Sequence, residues 1–295
     1  MPVLTVKNLA KNYGSLTALD GLDLTVEKGQ VFGLLGPNGS GKTTLLAILL
    51  DVIHPNAGSF SWFDGLEGKH VRRRIGALLE TPNFYPYLNA DQNLSLVAAI
   101  KGTPNTSLDS LLDLVQLRDR RRSPYKTYSL GMKQRLGLAA CLVGDPDVLI
   151  LDEPTNGLDP EGMVEMRHII QKIAAQGKTI ILASHILDEV EKICSHVAIL
   201  KKGRLLAVGA IGSFLTDQPT VEVGTADLER LFQFVSGCFL VKKVTRADGR
   251  LILELAPGRH PGELNQLAFE QGIVLDHLVL KRQSLETEFL EITRK

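Results

Sequence analysis

Residues Gly36-Pro37-Asn38-Gly39-Ser40-Gly41-Lys42-Thr43 fit the pattern G-x-x-x-x-G-K-[S/T] and stand between an apolar run, Val31–Leu35, and an apolar helical stretch that begins near Thr44. In that context the segment is a phosphate-binding loop. Its glycines let successive backbone N–H groups turn inward onto phosphate oxygens, and the helix behind it adds the positive end of its dipole. Lys42 can reach the β- and γ-phosphates as a point charge, Thr43 can offer its hydroxyl to Mg²⁺, and Thr44, where the helix begins, counts with the loop among the nucleotide-binding residues. A second constellation is Val148-Leu-Ile-Leu-Asp152-Glu153, a buried-strand pattern that ends in two adjacent carboxylates. Two such charges are costly at a strand end unless a cation or polar substrate satisfies them. Asp152 fits the carboxylate that holds Mg²⁺ through its water shell, and Glu153 is placed to polarise the water that attacks a γ-phosphate. The two segments together point to Mg²⁺-dependent hydrolysis of ATP.

The elements that must position these residues are legible as an alternation of short β-rich runs with helical patterns through roughly the first 215 residues, as expected for helices packed on a largely parallel sheet. Residues 3–6, a turn near Gly14 and residues 22–26 read as an antiparallel edge leading into the core strand at 31–35. From 89 to 144 the pattern is helical, with apolar residues at Leu94, Val97, Ala98, Leu108, Leu111, Leu112 and Val115, so a helical insertion is expected over about 84–144. Runs at 148–151, 179–183 and 197–200 read as central parallel strands. After 215 the order becomes βαββαβ, with strands near 221–223, 240–244, 251–255 and 274–280 and helices near 228–234 and from 263. The expected organisation is a domain over 1–215 and a small α+β, ferredoxin-like module over 216–295 with no chemically distinctive cluster.

Further motifs fall between and after the two chemical segments, and with them the first 215 residues resemble the ATP-binding cassette (ABC) ATPases. Tyr128-Ser129-Leu130-Gly131-Met132-Lys-Gln-Arg135 resembles that family's signature, LSGGQ, with Leu130 in place of its first glycine and Met132 in place of its glutamine. A serine hydroxyl and a glycine N–H at a helix N-terminus make an anion site. The resemblance implies that Ser129 and Gly131 clamp ATP held by the other subunit of a homodimer. Asn156-Gly-Leu-Asp159 resembles the loop that communicates across that dimer, with Asp159 at the nucleotide. His185, in Ala-Ser-His, resembles the switch histidine at the γ-phosphate, and Tyr13, in Lys-Asn-Tyr-Gly, the aromatic that stacks on adenine. Where the family carries a glutamine that reaches Mg²⁺ and the water, this chain has Glu80, whose oxygen can ligate Mg²⁺ but adds a charge beside the phosphates. The stretch 80–88 and the tail 282–293 resemble bacterial exporter ATPases of the bacitracin-resistance and lantibiotic-immunity type, whose permease is a separate chain.

Composition narrows the alternatives. Lys+Arg and Asp+Glu number 33 each, so no net field favours nucleic acid or an acidic membrane. The longest purely aliphatic run, residues 45–50, is far short of the roughly 20 residues of a spanning helix. The N-terminal residues lack a secretory pattern, so a cytoplasmic placement on the inner face of the membrane is expected. Cys141, Cys194 and Cys238 are odd in number and set among apolar residues, which reads as buried reduced thiols. The clusters Arg72–74 and Arg118–122 lack interleaved aromatics and read as solvated helix faces, with no nucleic acid expected. A ribosome- or nucleic-acid-acting ATPase would show a long coiled-coil insertion, zinc ligands or two cassettes in one chain, and a P-loop kinase or GTPase would leave the signature without a role. An importer ATPase differs from the exporter reading only through the tail and Glu80.

Overall fold

The computed structural model describes residues 1–66, 69–214, 220–247, 249–281, 289 and 292. The chain divides into two compact units, Met1–Ile211 and Gly212–Lys295.

The first unit contains, in order, β1 (Pro2–Tyr13), β2 (Leu16–Glu27), β3 (Val31–Leu35), α1 (Lys42–Leu49), β4 (Ala57–Trp62), α2 (Lys69–Arg73), β5 (Ile75–Leu78), α3 (Ala90–Lys101), α4 (Leu108–Leu114), α5 (Leu130–Leu142), β6 (Val148–Asp152), α6 (Pro160–Ala175), β7 (Thr179–Ser184), α7 (Leu187–Ile193), β8 (His196–Lys201) and β9 (Arg204–Ala210). Two sheets form from them. β2-β1-β4 is antiparallel, and β5-β6-β7-β3-β8-β9 is parallel except at its β8–β9 edge. The parallel strands β3, β6 and β7 are buried along their whole length, which is why they read in sequence as uninterrupted aliphatic runs. Ala183 pairs with both Leu34 and Asp152, so the carboxylate end of β6 stands level with the entrance to the phosphate loop. Leu45, Leu46, Ile48 and Leu49 of α1 pack with Leu4, Leu24 and Trp62 of the antiparallel sheet and with Phe32, Ile150 and Ile181 of the parallel one. The strands β4 and β9 were not evident from the sequence: β4 starts with three exposed small residues and is buried only at Trp62, and β9 alternates exposed with half-buried positions.

Local chemistry fixes the helices between β5 and β6. Asn89 and Gln92 form a reciprocal capping box at the start of α3, and Gly102 ends it at φ 69°, a left-handed conformation that glycine adopts without a Cβ clash. Lys101 then reaches across to donate to the carbonyls of Cys141 and Val143 at 3.2 and 2.9 Å, satisfying the last turn of α5, and its burial lowers the ammonium pKa. Most of the clustered arginines, Arg72, Arg73, Arg118, Arg120 and Arg122, are exposed, as expected, while Arg74 and Arg121 are half-buried. Arg121 grips Asp91 through two nitrogens at 2.8 and 2.7 Å and also meets Asp109, Arg118 pairs with Asp113, and Arg74 pairs with Asp147 at 2.6 Å over the ring of Phe63. These pairs tie neighbouring segments together, so Arg74 and Arg121 serve the fold within otherwise solvated basic runs.

A single turn, α8 (Ile211–Phe214), begins at the last residue of the first unit, and the second unit then contains β10 (Thr220–Gly224), α9 (Leu228–Ser236), β11 (Val241–Ala247), β12 (Arg250–Leu255), α10 (Pro261–Glu270) and β13 (His277–Lys281). The sheet order β11-β12-β10-β13, antiparallel throughout, is that of a split βαββαβ module. Val221, Val223, Leu251 and Leu253 meet Leu231 and Val235 of α9 and Leu264 of α10 in its core. Two strand boundaries shift from the expected ones, since Leu240 precedes β11 and β13 begins only at His277. The resemblance carried by residues 282–293 lies outside the described residues, 289 and 292 apart. Cys141 and Cys194 are buried, and burial pushes both thiols up to about 12. Cys238 departs from the buried reading: it is half-buried at the margin of the second core.

Candidate functional site

At the C-terminal ends of the parallel strands, where ligands of open α/β sheets bind, the phosphate loop wraps back on itself. Ser40 N–H donates to the Pro37 carbonyl at 3.1 Å, and Lys42 Nζ donates to the carbonyls of Gly36 and Pro37 at 2.7 and 3.4 Å. Space dictates glycine at two points. A Cβ on Gly36 would stand 2.4 Å from the Leu200 carbonyl, and one on Gly41, at φ 108°, 2.5 Å from that of Ala18. The backbone thus keeps the N–H-lined hollow open in front of α1.

The carboxylate pair meets this loop directly. Thr43 Oγ1 donates to Asp152 Oδ2 at 2.9 Å, Lys42 Nζ lies 3.5 Å from Glu153 Oε1, and His185 Nδ1 lies 2.9 Å from Glu153 Oε2. Glu153 holds a left-handed backbone, φ 48°, with its N–H on the Ala183 carbonyl and its own carbonyl accepting from Asn156. Such a conformation in a non-glycine residue costs free energy and persists where the surroundings impose it, often at functional sites. Glu80 shares it, at φ 52°. Asp152 is 1% exposed, and burial raises its carboxyl pKa; the Thr43 hydrogen bond opposes this, the charge of Glu153 adds to it, that of Lys42 opposes it and that of Glu80 adds to it. A raised folded-state pKa means that the ionised form is disfavoured by folding, so the nucleotide-free protein gains stability as pH falls through that pKa. Asp152→Asn therefore raises the melting temperature of the nucleotide-free protein at pH 7.5, by roughly 2–4 °C in a chain of this size. The advantage shrinks as the pH is lowered through the raised pKa of Asp152. A melt series across pH checks both the sign and the trend.

Tyr13, residues 38–44, Glu80, Asp152 and Glu153 line a single cavity of about 660 Å³. Tyr13 is 48% exposed, its ring presented at the mouth with Lys11 Nζ 5.4 Å from the centroid. Ser129, Gly131 and Asp159 are not in it. They line a second concavity, into which the N-termini of α5 and α6 converge: Ser129 Oγ caps α5 by accepting from Met132 N–H at 3.3 Å, and Asp159 Oδ1 caps α6 by accepting from Gly162 N–H at 3.0 Å. The two capped helix N-termini face this concavity together with Arg135 and the carboxylates of Glu161 and Glu165, apart from the phosphate loop. Leu130, where a glycine was expected, is 41% exposed and lines both hollows.

One residue was missed. Gln134 lines the first cavity, is buried, and its Oε1 has no hydrogen-bond partner among the described residues. Its spacing four residues after Leu130, on the same helix face, was the available signal.

The ABC transporter family profile matches residues 19–156. The bacitracin transport ATP-binding protein BcrA of Bacillus licheniformis is 35% identical over 296 residues, covering 98% of this chain and 97% of BcrA. The lantibiotic transport ATP-binding protein SrtF of Streptococcus pyogenes is 40% identical over 205 residues, covering 69% of this chain and 89% of SrtF. Among solved structures, an ATP-binding subunit of an ABC transporter superposes with a TM-score of 0.64 at 30% identity, over 72% of this chain and 91% of that one. CbiO1 of Clostridium perfringens, part of the ABC transporter complex cbiONQ, gives 0.65 at 30% identity, over 71% of this chain and 88% of its own. With the phosphate loop, the paired carboxylates and this breadth of similarity, the chain belongs to the ABC transporter family, as one of its ATP-binding, ATP-hydrolysing subunits.

Proposed function

We propose that the chain powers an exporter of peptide antibiotics or similar compounds, as a homodimer that closes on two Mg²⁺-ATP and pushes on a separate permease at the inner face of the membrane. The observation that carries this reading is the division of the site into two hollows on one chain, a phosphate loop with its carboxylates in one and the signature residues in the other. Neither is a complete nucleotide site, and a second copy supplies what each lacks. Export is supported by similarity to BcrA that runs through both compact units. Among the described residues no helix is long and apolar enough to cross a membrane, and in this reading the pathway belongs to the separate permease.

Mg²⁺ fits the oxygens present. Asp152 Oδ2 accepts from Thr43, while Asp152 Oδ1 is buried without a partner among the described residues, a hard anionic oxygen set for a hard cation. Thr43, Asp152 and Glu80 would hold the ion, which neutralises charge on the β- and γ-phosphates when bound. The loop N–H groups and Lys42 hold the phosphates, and Tyr13 offers a flat apolar face to the base. Glu153 accepts the proton of the attacking water, and His185, bonded to Glu153, orients it toward the γ-phosphate. Ser129 and Gly131 donate to the γ-phosphate of ATP held by the partner subunit, with Asp159 beside them.

Co-expression with the membrane chain that copurifies with it tests the assignment. In a sensitive bacterial host this raises the inhibitory concentration of bacitracin or a lantibiotic several-fold, and the gain disappears with Lys42→Ala. Accumulation of a compound inside the cells instead would replace the exporter reading with an importer one.

A further inference from the structure

Two of the residues in the proposed mechanism, Asp159 and His185, begin adjacent helices. Asp159 caps α6, and His185 immediately precedes the turn into α7. Eight residues into α6, Arg167 points to α7 and its Nη2 donates to Oε1 of Glu189, which is 1% exposed. A second tie between the same helices, from Gln171 Nε2 to the Lys192 carbonyl at 3.1 Å, lies at the exposed edge. On another side of α6, Glu165 meets Arg135 of α5 at 3.4 Å. Because residues 165 and 167 are two apart, they project about 200° from one another around a helix. α6 is therefore held between the helix capped by Ser129 and the helix that follows His185.

The inner pair is half made. Arg167 Nε and Glu189 Oε2 are both buried and have no hydrogen-bond partner among the described residues, although their sister atoms Nη2 and Oε1 are joined. Nε and Nη2 form one edge of the planar guanidinium, and that edge matches the two oxygens of a carboxylate in a fork. A buried ion pair contributes little net stability, since desolvation offsets its attraction, but it fixes geometry. We infer that Arg167 and Glu189 are positioning residues for ATP hydrolysis: a one-tooth contact that becomes a two-tooth fork when α6 and α7 slide together, coupling the placement of His185 to that of Asp159 and, through Arg135–Glu165, to the signature helix. This deepens the reading of His185 proposed above and rests on it. The coupling has the form that a positioning device requires, a contiguous element with two discrete arrangements biased from both ends.

The double variant Arg167→Met/Glu189→Met tests it. Replacement of both partners of a buried ion pair by apolar side chains of similar volume is neutral or stabilising, so packing is kept while the directional tie is lost. The melting temperature stays at or above that of the unaltered protein, KM for ATP changes less than about threefold, and kcat falls by roughly tenfold, the scale of about 1.4 kcal/mol of transition-state positioning. The Hill coefficient of hydrolysis moves toward one. Arg167→Lys, which keeps the charge but cannot form the fork, shows the same loss of kcat with a smaller change in Hill coefficient, and it reports on the idea even if the double variant folds poorly. Unaltered kcat and Hill coefficient in a stably folded double variant, or in Arg167→Lys, would overturn the proposal and leave the pair a structural contact. His185→Ala run in parallel separates the two readings: a loss there with no effect of the pair sinks the coupling alone, whereas normal hydrolysis by His185→Ala removes the site reading on which the coupling rests.

Discussion

Glu153→Gln abolishes turnover while leaving ATP bound. Glutamine has the volume of glutamate and can keep the contact with His185 Nδ1, now at 2.9 Å, so the geometry of the site survives the change. What is lost is a carboxylate able to take a proton from water, and removal of a positioned general base costs on the order of 10²–10⁴-fold in rate. The substitution also removes the negative charge that stands 3.5 Å from Lys42 Nζ, freeing that ammonium for the phosphates. Binding of ATP is therefore as tight as before or tighter, and the ATP-bound dimer accumulates because nothing discharges it. Steady-state hydrolysis, nucleotide binding and size-exclusion chromatography with ATP read the three effects separately. Hydrolysis at the normal rate would falsify the role given to Glu153. The backbone adds a second expectation about this position. Its φ of 48° is strained for any side chain with a Cβ, so Glu153→Gly relaxes the strain and costs little stability, yet it destroys activity as fully as glutamine does.

How far the sequence reaches depends on the kind of constraint. The phosphate loop and the Asp152-Glu153 strand end were legible because the chemistry of phosphate binding demands glycines and a lysine at fixed offsets, and because β3 and β6 are buried on both faces and so read as aliphatic runs. The split into two hollows was expected only through the resemblance, since nothing in the spacing of Ser129 and Gly36 says that they line different cavities. Strands β4 and β9 escaped notice because edge position and partial exposure erase the hydrophobic signal. The arginine clusters were legible as mostly solvated, but not the part Arg121 plays in the fold, because the acids it meets, Asp91 and Asp109, stand 30 and 12 residues away in sequence. Gln134 and the pair Arg167–Glu189 share that property. Their significance lies in which buried atoms lack partners, and that depends on tertiary packing alone.

Complementation between two defective copies gives the second large effect, because it asks which chain each wall of the ATP site comes from. Lys42→Ala removes the cation of the phosphate loop. Ser129→Arg places a long cationic side chain at the N-terminus of α5, where the serine oxygen caps the helix at 3.3 Å and where the anion of an incoming nucleotide would lie. Either variant alone leaves no complete site in a homodimer, and each lowers hydrolysis to about one hundredth or less, as expected for loss of a preorganised phosphate contact worth roughly 3–4 kcal/mol. In a mixed dimer the outcome depends on geometry. If the signature serves the opposite subunit, the intact phosphate loop of the Ser129→Arg copy faces the intact signature of the Lys42→Ala copy. One whole site then forms while the other carries both defects. With Glu153→Gln added to both copies to prevent discharge, the mixture retains a single occluded ATP per dimer and the separate variants retain none. If the signature instead served its own chain, every chain in the mixture would be defective and nothing would be recovered. The separation of the two hollows within one chain favours recovery, because Ser129, Gly131 and Asp159 line a concavity that neither Lys42 nor Asp152 enters.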